Sequence, residues 1–272
     1  MITTRRNRNI FSATFSFIEL VYHSVVRDVR KSSGSASLGL VLEIAQSMLM
    51  IAMFYALYTF TGTRGLAIRG DFVIFLLTGI FLYLTHNKAI GAVMGAANSA
   101  SPIMKHAPMT SMVSILSAAF AALYLQVLAF IVILFFLHML NGGLDIYNPT
   151  GLILPFFLSW ASGCTIGLLF LTVKPFAPKL VPIIANVYKR ANMITSGKML
   201  PANMMSASMV QWFDWNPLFH TIDQSRGHAF VNYLPHNSDM SYAVYFTLTT
   251  LVLGLMGERW LSANLSMSHG SR

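Results

Sequence analysis

Lys189 and Arg190 stand side by side in an apolar stretch. A cation at membrane depth is a candidate for gripping an anion, and arginine can hold a phosphate or carboxylate by two parallel hydrogen bonds. The other reading is that the pair marks the inner end of a span that starts later. A second polar concentration is "WFDWNPLFHTIDQSRG", Trp212 to Gly227, which sets Asp214, Asn216, His220, Asp223 and Arg226 between runs suited to hydrocarbon. Its rings Trp212, Phe213 and Trp215 suit either stacking on sugars or anchoring at headgroup depth. Covalent chemistry finds no such candidates. G-x-x-x-x-G-K-[ST], H-E-x-x-H and G-x-S-x-G are all missing, and "TSGKML" at 195–200 lacks the first glycine and the final hydroxyl of a phosphate loop. Of the eight histidines only His220, His228 and His236 share a region, and Gly227 and Pro235 interrupt any helix that would align them. No catalytic residue and no metal site is therefore expected. Cys164, the single cysteine, lies in an apolar span without a partner. Glu43 is the one acid well inside a span; it either snorkels or pairs with the N-terminal helix. With no nucleotide site and no buried ion relay, transport by such a chain must draw its energy from another subunit.

The elements that would carry these residues are helices in a bilayer. Only 10% of the 272 residues are charged, against about 25% in a soluble domain, so the chain lacks the surface to face water. Runs of roughly 20 apolar residues cross a bilayer as helices. Such runs occupy 38–60, 72–96, 111–139, 151–173 and 240–257, and a weaker one, 180–200, is broken by Lys189, Arg190 and Lys198. Six spans are expected. Arg5, Arg6, Arg8, Arg27, Arg30 and Lys31 precede the first span; Lys105, Lys174, Lys179, Arg259 and Arg272 share their side, against Arg64, Arg69, Lys198 and Arg226 on the other. The positive-inside rule then places both termini in the cytoplasm. No cleavable signal peptide is legible in the first residues. Residues 11–30 place Phe11, Phe15, Ile18, Tyr22, Val25 and Val29 on one helical face and Arg27 and Arg30 on the other, the pattern of a helix lying in the inner membrane interface; the alternative is a soluble cytoplasmic helix packed on a partner. "KSSGSAS", 31–37, supplies an elbow into the first span, and "GAVMG", Gly91 to Gly95, permits close helix approach within a chain or between chains.

Three further stretches carry a family likeness. "FLLTGIFLY" at 75–83, "NSASPIMKHAPMTSMVSILSAAF" at 98–120 and "SGKMLPANMMSASMVQWFDWNPLFHTIDQSRG" at 196–227 stand in order along the chain. In them the sequence resembles the membrane subunits of type-2 ABC exporters, particularly those of capsular and other surface polysaccharides. The likeness covers nearly the whole chain; "TVKPFAPK" at 172–179 departs from the family's usual turn.

The resemblance implies an all-α polytopic membrane protein forming a single type-2 transmembrane domain over 1–272. Its parts would be six transmembrane helices, an interfacial helix at 11–30, a coupling loop at 97–110, and short re-entrant helices within the extracytoplasmic region 198–239. Asn98, Lys105, His106 and Pro108 would serve coupling to the ATPase. Lys189, Arg190, Trp212, Phe213, Trp215, Asn216 and Arg226 would border the translocation pathway. Asn216 would cap the helix that Pro217 starts, and Gly227 would end it. The chain would carry no cofactor, ATP and magnesium belonging to two copies of a separate ATPase. Its other partners would be a second copy of itself, the bilayer, the polysaccharide and periplasmic or outer-membrane export proteins, and no nucleic acid. The expected function is a permease subunit exporting a lipid-linked surface polysaccharide across the bacterial inner membrane. The alternatives are an exporter of O-antigen, lipid or drug, or a membrane-embedded glycan- or lipid-modifying enzyme.

Overall fold

The computed structural model describes residues 10–31, 36–62, 70–98, 110–141 and 143–269, and among these every regular element is a helix. Nine α-helices follow one another: α1 (Ile10–Lys31), α2 (Ala36–Phe60), α3 (Phe72–Met94), α4 (Ser111–Asn141), α5 (Ile153–Val173), α6 (Leu180–Thr195), α7 (Ala207–Phe213), α8 (Pro217–Ala229) and α9 (Met240–His269). Five of them, α2, α3, α4, α5 and α9, are long and apolar enough to cross a membrane. The sixth expected span is shorter than the sequence pattern. Helix α6 stops at Thr195 because Gly197 turns the chain at φ +68°, a conformation open to glycine, with its missing Cβ leaving room for Phe219. Sixteen residues reach only about 24 Å at 1.5 Å per residue, against a hydrocarbon core of about 30 Å.

Helix α3 is the axis of the bundle. Asp71 caps it by accepting from Val73 N at 2.8 Å, and it is buried nearly throughout. Its closest neighbour is α5, because Gly163 and Gly167 bring the α5 backbone onto it: a Cβ on Gly163 would lie 2.4 Å from the His86 carbonyl oxygen, and one on Gly167 2.9 Å from that of Ile90. Small residues four apart are what allow such contact. On its other side α5 presses Leu168 against Gly254 and Thr172 against Gly257 of α9, and Thr250 Oγ1 donates to Thr165 Oγ1 at 2.8 Å. Trp160 Nε1 donates to the Ala119 carbonyl at 3.0 Å and ties α5 to α4. Within the motif Gly91 to Gly95, Val93 packs on α5, where a Cβ on Gly167 would lie 3.0 Å from its Cβ. The two glycines of the motif border a cavity, and the atom closest to a Cβ built on Gly91 is the Lys189 Nζ, at 3.3 Å.

Helix α1 packs on the first half of α4. Its Val29 and Val25 meet Ala121 and Leu125, and Ser117 Oγ donates to Asp28 Oδ2 at 2.7 Å. The rest of its apolar stripe, Phe15, Ile18 and Tyr22, is exposed together with Arg27 and Arg30. The Phe11 side chain lies outside the described residues.

Candidate functional site

Polar side chains concentrate at both ends of the bundle. At the end where α3 and α5 finish and α4 begins, a cavity of about 1130 Å³ opens between α1, α3, α4 and the α5–α6 turn, reached by residues of α2 and α6. Its wall carries eight glycines and alanines, among them Gly91, Ala92, Gly95 and Ala118, together with four cations, Arg27, Lys88, Lys174 and Lys189, and two carboxylates, Asp28 and Glu43. Asp28 Oδ1 lies 3.4 Å from Arg27 Nη2, and Glu43 offsets a second cation. Its carboxylate oxygens lie 2.9 and 2.8 Å from Lys88 Nζ, and Gln126 Nε2 donates to it at 3.0 Å. The partner of Glu43 is thus a lysine of α3, neither water nor the N-terminal helix. Lys174 Nζ donates to the Met94 carbonyl at 3.3 Å, so the ends of α5 and α3 are joined at the cavity rim. Lys189 lines the cavity, while Arg190, its neighbour, does not and is exposed.

Asn98 is buried and donates to the Leu171 carbonyl at 3.3 Å, anchoring the root of the loop that follows. Lys105, His106 and Pro108 lie outside the described residues.

At the opposite end, the short α7 leads through a tight turn into α8, and Phe213 of one meets Phe219 of the other. Ser206 caps α7 through Met209 N, and Asn216 caps α8 by accepting from Leu218 N at 3.0 Å, with Pro217 in its first turn. Asn216 also donates from Nδ2 to Asn192 Oδ1 at 2.9 Å and Thr195 Oγ1 at 2.8 Å, so the start of α8 sits against the end of α6. Thr221 meets Ser159 of α5 at 2.8 Å. The far end of α8 joins the α4–α5 loop, where Asn148 N donates to the His228 carbonyl at 2.8 Å. Helix α8 does not end at Gly227. It runs on to Ala229, and Gly227 instead lets Pro235 approach, a Cβ there meeting Pro235 Cδ at 2.8 Å.

Arg226 does not point into open space. Its Nη1 donates to the Gly197 and Leu200 carbonyls at 2.8 and 3.3 Å, its Nη2 to that of Lys198 at 2.8 Å, and the guanidinium lies 4.4 Å from the centre of the Phe75 ring. Gly79 clears the way: a Cβ there would meet the Lys198 carbonyl at 2.8 Å. Tyr58 of α2 donates to the Met199 carbonyl and closes the bracket. Asp223, buried beside it, accepts from Tyr233 and, at 2.7 Å, from Ser238 Oγ. Burial first, and the Asp223 charge next, hold the Tyr233 phenol well above its usual range, so it remains a donor. His220 accepts from Asp239 N at 3.0 Å and turns its other nitrogen to the Asp214 carbonyl. Among the described residues no three His, Cys, Asp or Glu side chains converge as a metal set would. Of the three rings, Phe213 is buried against Phe219, whereas Trp212 is 76% and Trp215 45% exposed, the exposure a stacking platform needs.

Lys198, which the sequence offered only as a break in the 180–200 run and an outer-side cation, is buried in this structure. Its ammonium makes no hydrogen bond and lies 3.6 Å from the Tyr83 ring centre and 5.1 Å from that of Phe54.

No protein-family model matches the chain. Two relatives align along most of it: both are polysialic acid transport protein KpsM of Escherichia coli, each 23% identical over 230 residues, 85% of this chain and 88% of the relative. The likeness to polysialic acid transport proteins thus extends over most of the chain.

Proposed function

We propose that this chain is the permease subunit of a type-2 ABC exporter, carrying a surface polysaccharide across the inner membrane on energy from a separate ATPase. The observation that carries the reading is the 85% of the chain aligned with polysaccharide transport proteins. The cation-bordered cavity at one end and the polar α7–α8 segment at the other supply it with two ends of a route. The cavity end is assigned to the cytoplasm, with both termini, and the α7–α8 segment to the outer leaflet. Polar backbone at membrane depth is tolerated only inside protein or beside water, and that segment meets the condition with Asn216, Thr221, Asp223 and Arg226 all buried and bonded. Helix α6 is then the sixth span, its shortfall covered by the segment that folds back above it. Helix α1 lies in the inner interface, its exposed Phe15, Ile18 and Tyr22 toward acyl chains and its arginines toward anionic headgroups.

The small wall residues leave room for a polymer, Lys189 and Lys174 offer it positive charge, and Trp212 and Trp215 receive its sugars at the far end. Two copies of the chain enclose the passage. Residues 97–110 pass motion from the ATPase to α3 and α4, their root held by Asn98. The lipid anchor of the glycan and its export partners beyond the membrane belong to the same reading. Co-purification with a co-expressed ABC ATPase of the polysaccharide-export type tests it. Lys105→Glu with Pro108→Ala is expected to lower ATPase recovery about tenfold, the effect of losing about 1.4 kcal/mol of contact. Unchanged recovery removes the loop from the interface.

A further inference from the structure

Two lysines meet on the cavity wall and are partnered differently. Lys88 and Gly91 stand three residues apart on α3, so their side-chain positions share one face, about 5–6 Å apart. The space over Gly91 is taken by the ammonium of Lys189 from α6, whose Nζ lies 3.3 Å from where a Cβ would be. Both lysines and the glycine line the same cavity. Cations brought together at membrane depth repel one another, and each calls for an anion.

Lys88 has its anion within the chain. Its Nζ donates to the two oxygens of Glu43, at 2.9 and 2.8 Å, and to Gln46 Oε1 at 2.5 Å. Those acceptors occupy every donor of the ammonium. Glu43 is steadied by Gln126 of α4, whose Nε2 donates to it at 3.0 Å, and Thr85 donates to Gln126 Oε1 at 3.4 Å. The pair is largely shielded, the side chains being 28% and 15% exposed. Lys189 has no counterpart to Glu43. Among the described residues its ammonium makes neither a hydrogen bond nor an ion pair.

We propose that Glu43 tunes the grip of the cavity on an anionic group of the substrate, a carboxylate or a phosphate, by withholding Lys88 so that Lys189 meets that group alone. The identity of the cargo rests on the transport reading; the placing of the charges does not. A pathway must bind firmly enough to admit its cargo and weakly enough to let it leave. Two free lysines one turn apart would clamp an anion, whereas one holds it and releases it. Glu43 is thus a positioning residue that acts through Lys88 without touching the substrate.

The test uses the full chain in detergent, carrying Cys164→Ser and a reporter, Ala92→Cys, on the same wall. Alkylation of the reporter by a neutral maleimide is followed as glucuronate, glucose 1-phosphate or glucose is added at constant ionic strength. The anions are expected to slow alkylation where glucose does not, and the more effective of the two identifies the group as carboxylate or phosphate. Lys189→Gln should raise the anion concentration for half-protection at least about tenfold. Glu43→Gln should lower it about tenfold, because Lys88 is then released to join Lys189. Glu43→Gln with Lys88→Gln, which removes one charge of each sign, should restore the parent value within about twofold, a rescue that damage to the fold would not give. Protection by glucose equal to that by the anions, a Lys189→Gln chain still protected, a Glu43→Gln chain unchanged, or a double variant as weak as Lys189→Gln would each overturn the proposal. Should Glu43→Gln alone not purify as a single species, the double variant and Lys189→Gln decide. No ATPase or nucleotide takes part, so failure here leaves the transport reading standing, and failure of ATPase co-purification leaves these charges in place.

Discussion

Arg226→Met is expected to cost the protein about 3–6 kcal/mol, enough that little folded chain survives extraction in detergent. The guanidinium donates to three carbonyls, those of Gly197, Lys198 and Leu200. Bonds from a charged donor contribute about 1.5–3 kcal/mol each, and a buried carbonyl left bare loses about 1–3 kcal/mol. Methionine keeps most of the volume over Phe75 and supplies none of the donors. Arg226→Lys should recover only part of the loss, since one compact ammonium cannot reproduce a planar fork that meets oxygens on two sides. Cys164 offers the readout: it is the chain's single cysteine and lies in α5, so its labelling by a thiol-reactive dye on heating reports opening of the bundle. A midpoint for Arg226→Met within about 2 °C of the parent would deny the bracket its structural role.

Arg226 also marks how far the sequence is legible. The long apolar runs translate directly into α2, α3, α4, α5 and α9, because twenty apolar residues leave a chain few alternatives. The cap at Asn216 and the start at Pro217 were legible too, since both act within one turn. What escaped depends on distant partners. The resemblance set Arg226 along the pathway and named no partner for it; its acceptors are carbonyls of a loop that begins twenty-nine residues earlier in the chain. Glu43 found Lys88, forty-five residues away. Lys189 and Arg190 are adjacent in sequence, yet the first lines the cavity and the second does not. Period and composition identify an element and its faces; they do not name the neighbour on each face.

The glycines make the same point with a large expected effect. Gly163→Ala should destabilise the bundle by about 3 kcal/mol, the top of the usual range for overpacking, and lower the thermal midpoint by about 5–10 °C. The new methyl group would sit 2.4 Å from the His86 carbonyl oxygen and 3.0 Å from the Ala89 Cβ. Neither is the end of a flexible side chain. Helix α3 cannot yield, being buried on nearly every side, and α5 cannot retreat, because Leu168 and Thr172 already fill the hollows left by Gly254 and Gly257 of α9. The His86 ring adds a second restraint, bonded to the Ser159 carbonyl at 3.1 Å and Ser162 Oγ at 3.0 Å across the same seam. Gly91→Ala is the matched control. It introduces the same methyl group in a helix, but 3.3 Å from a lysine Nζ that can swing into the cavity. Alanine favours the helix over glycine by up to about 1 kcal/mol, so Gly91→Ala should leave the midpoint unchanged or raise it. If the two substitutions prove equally harmful, α3 and α5 are not joined through the glycines of α5, and the cavity wall is packed more tightly than this structure has it.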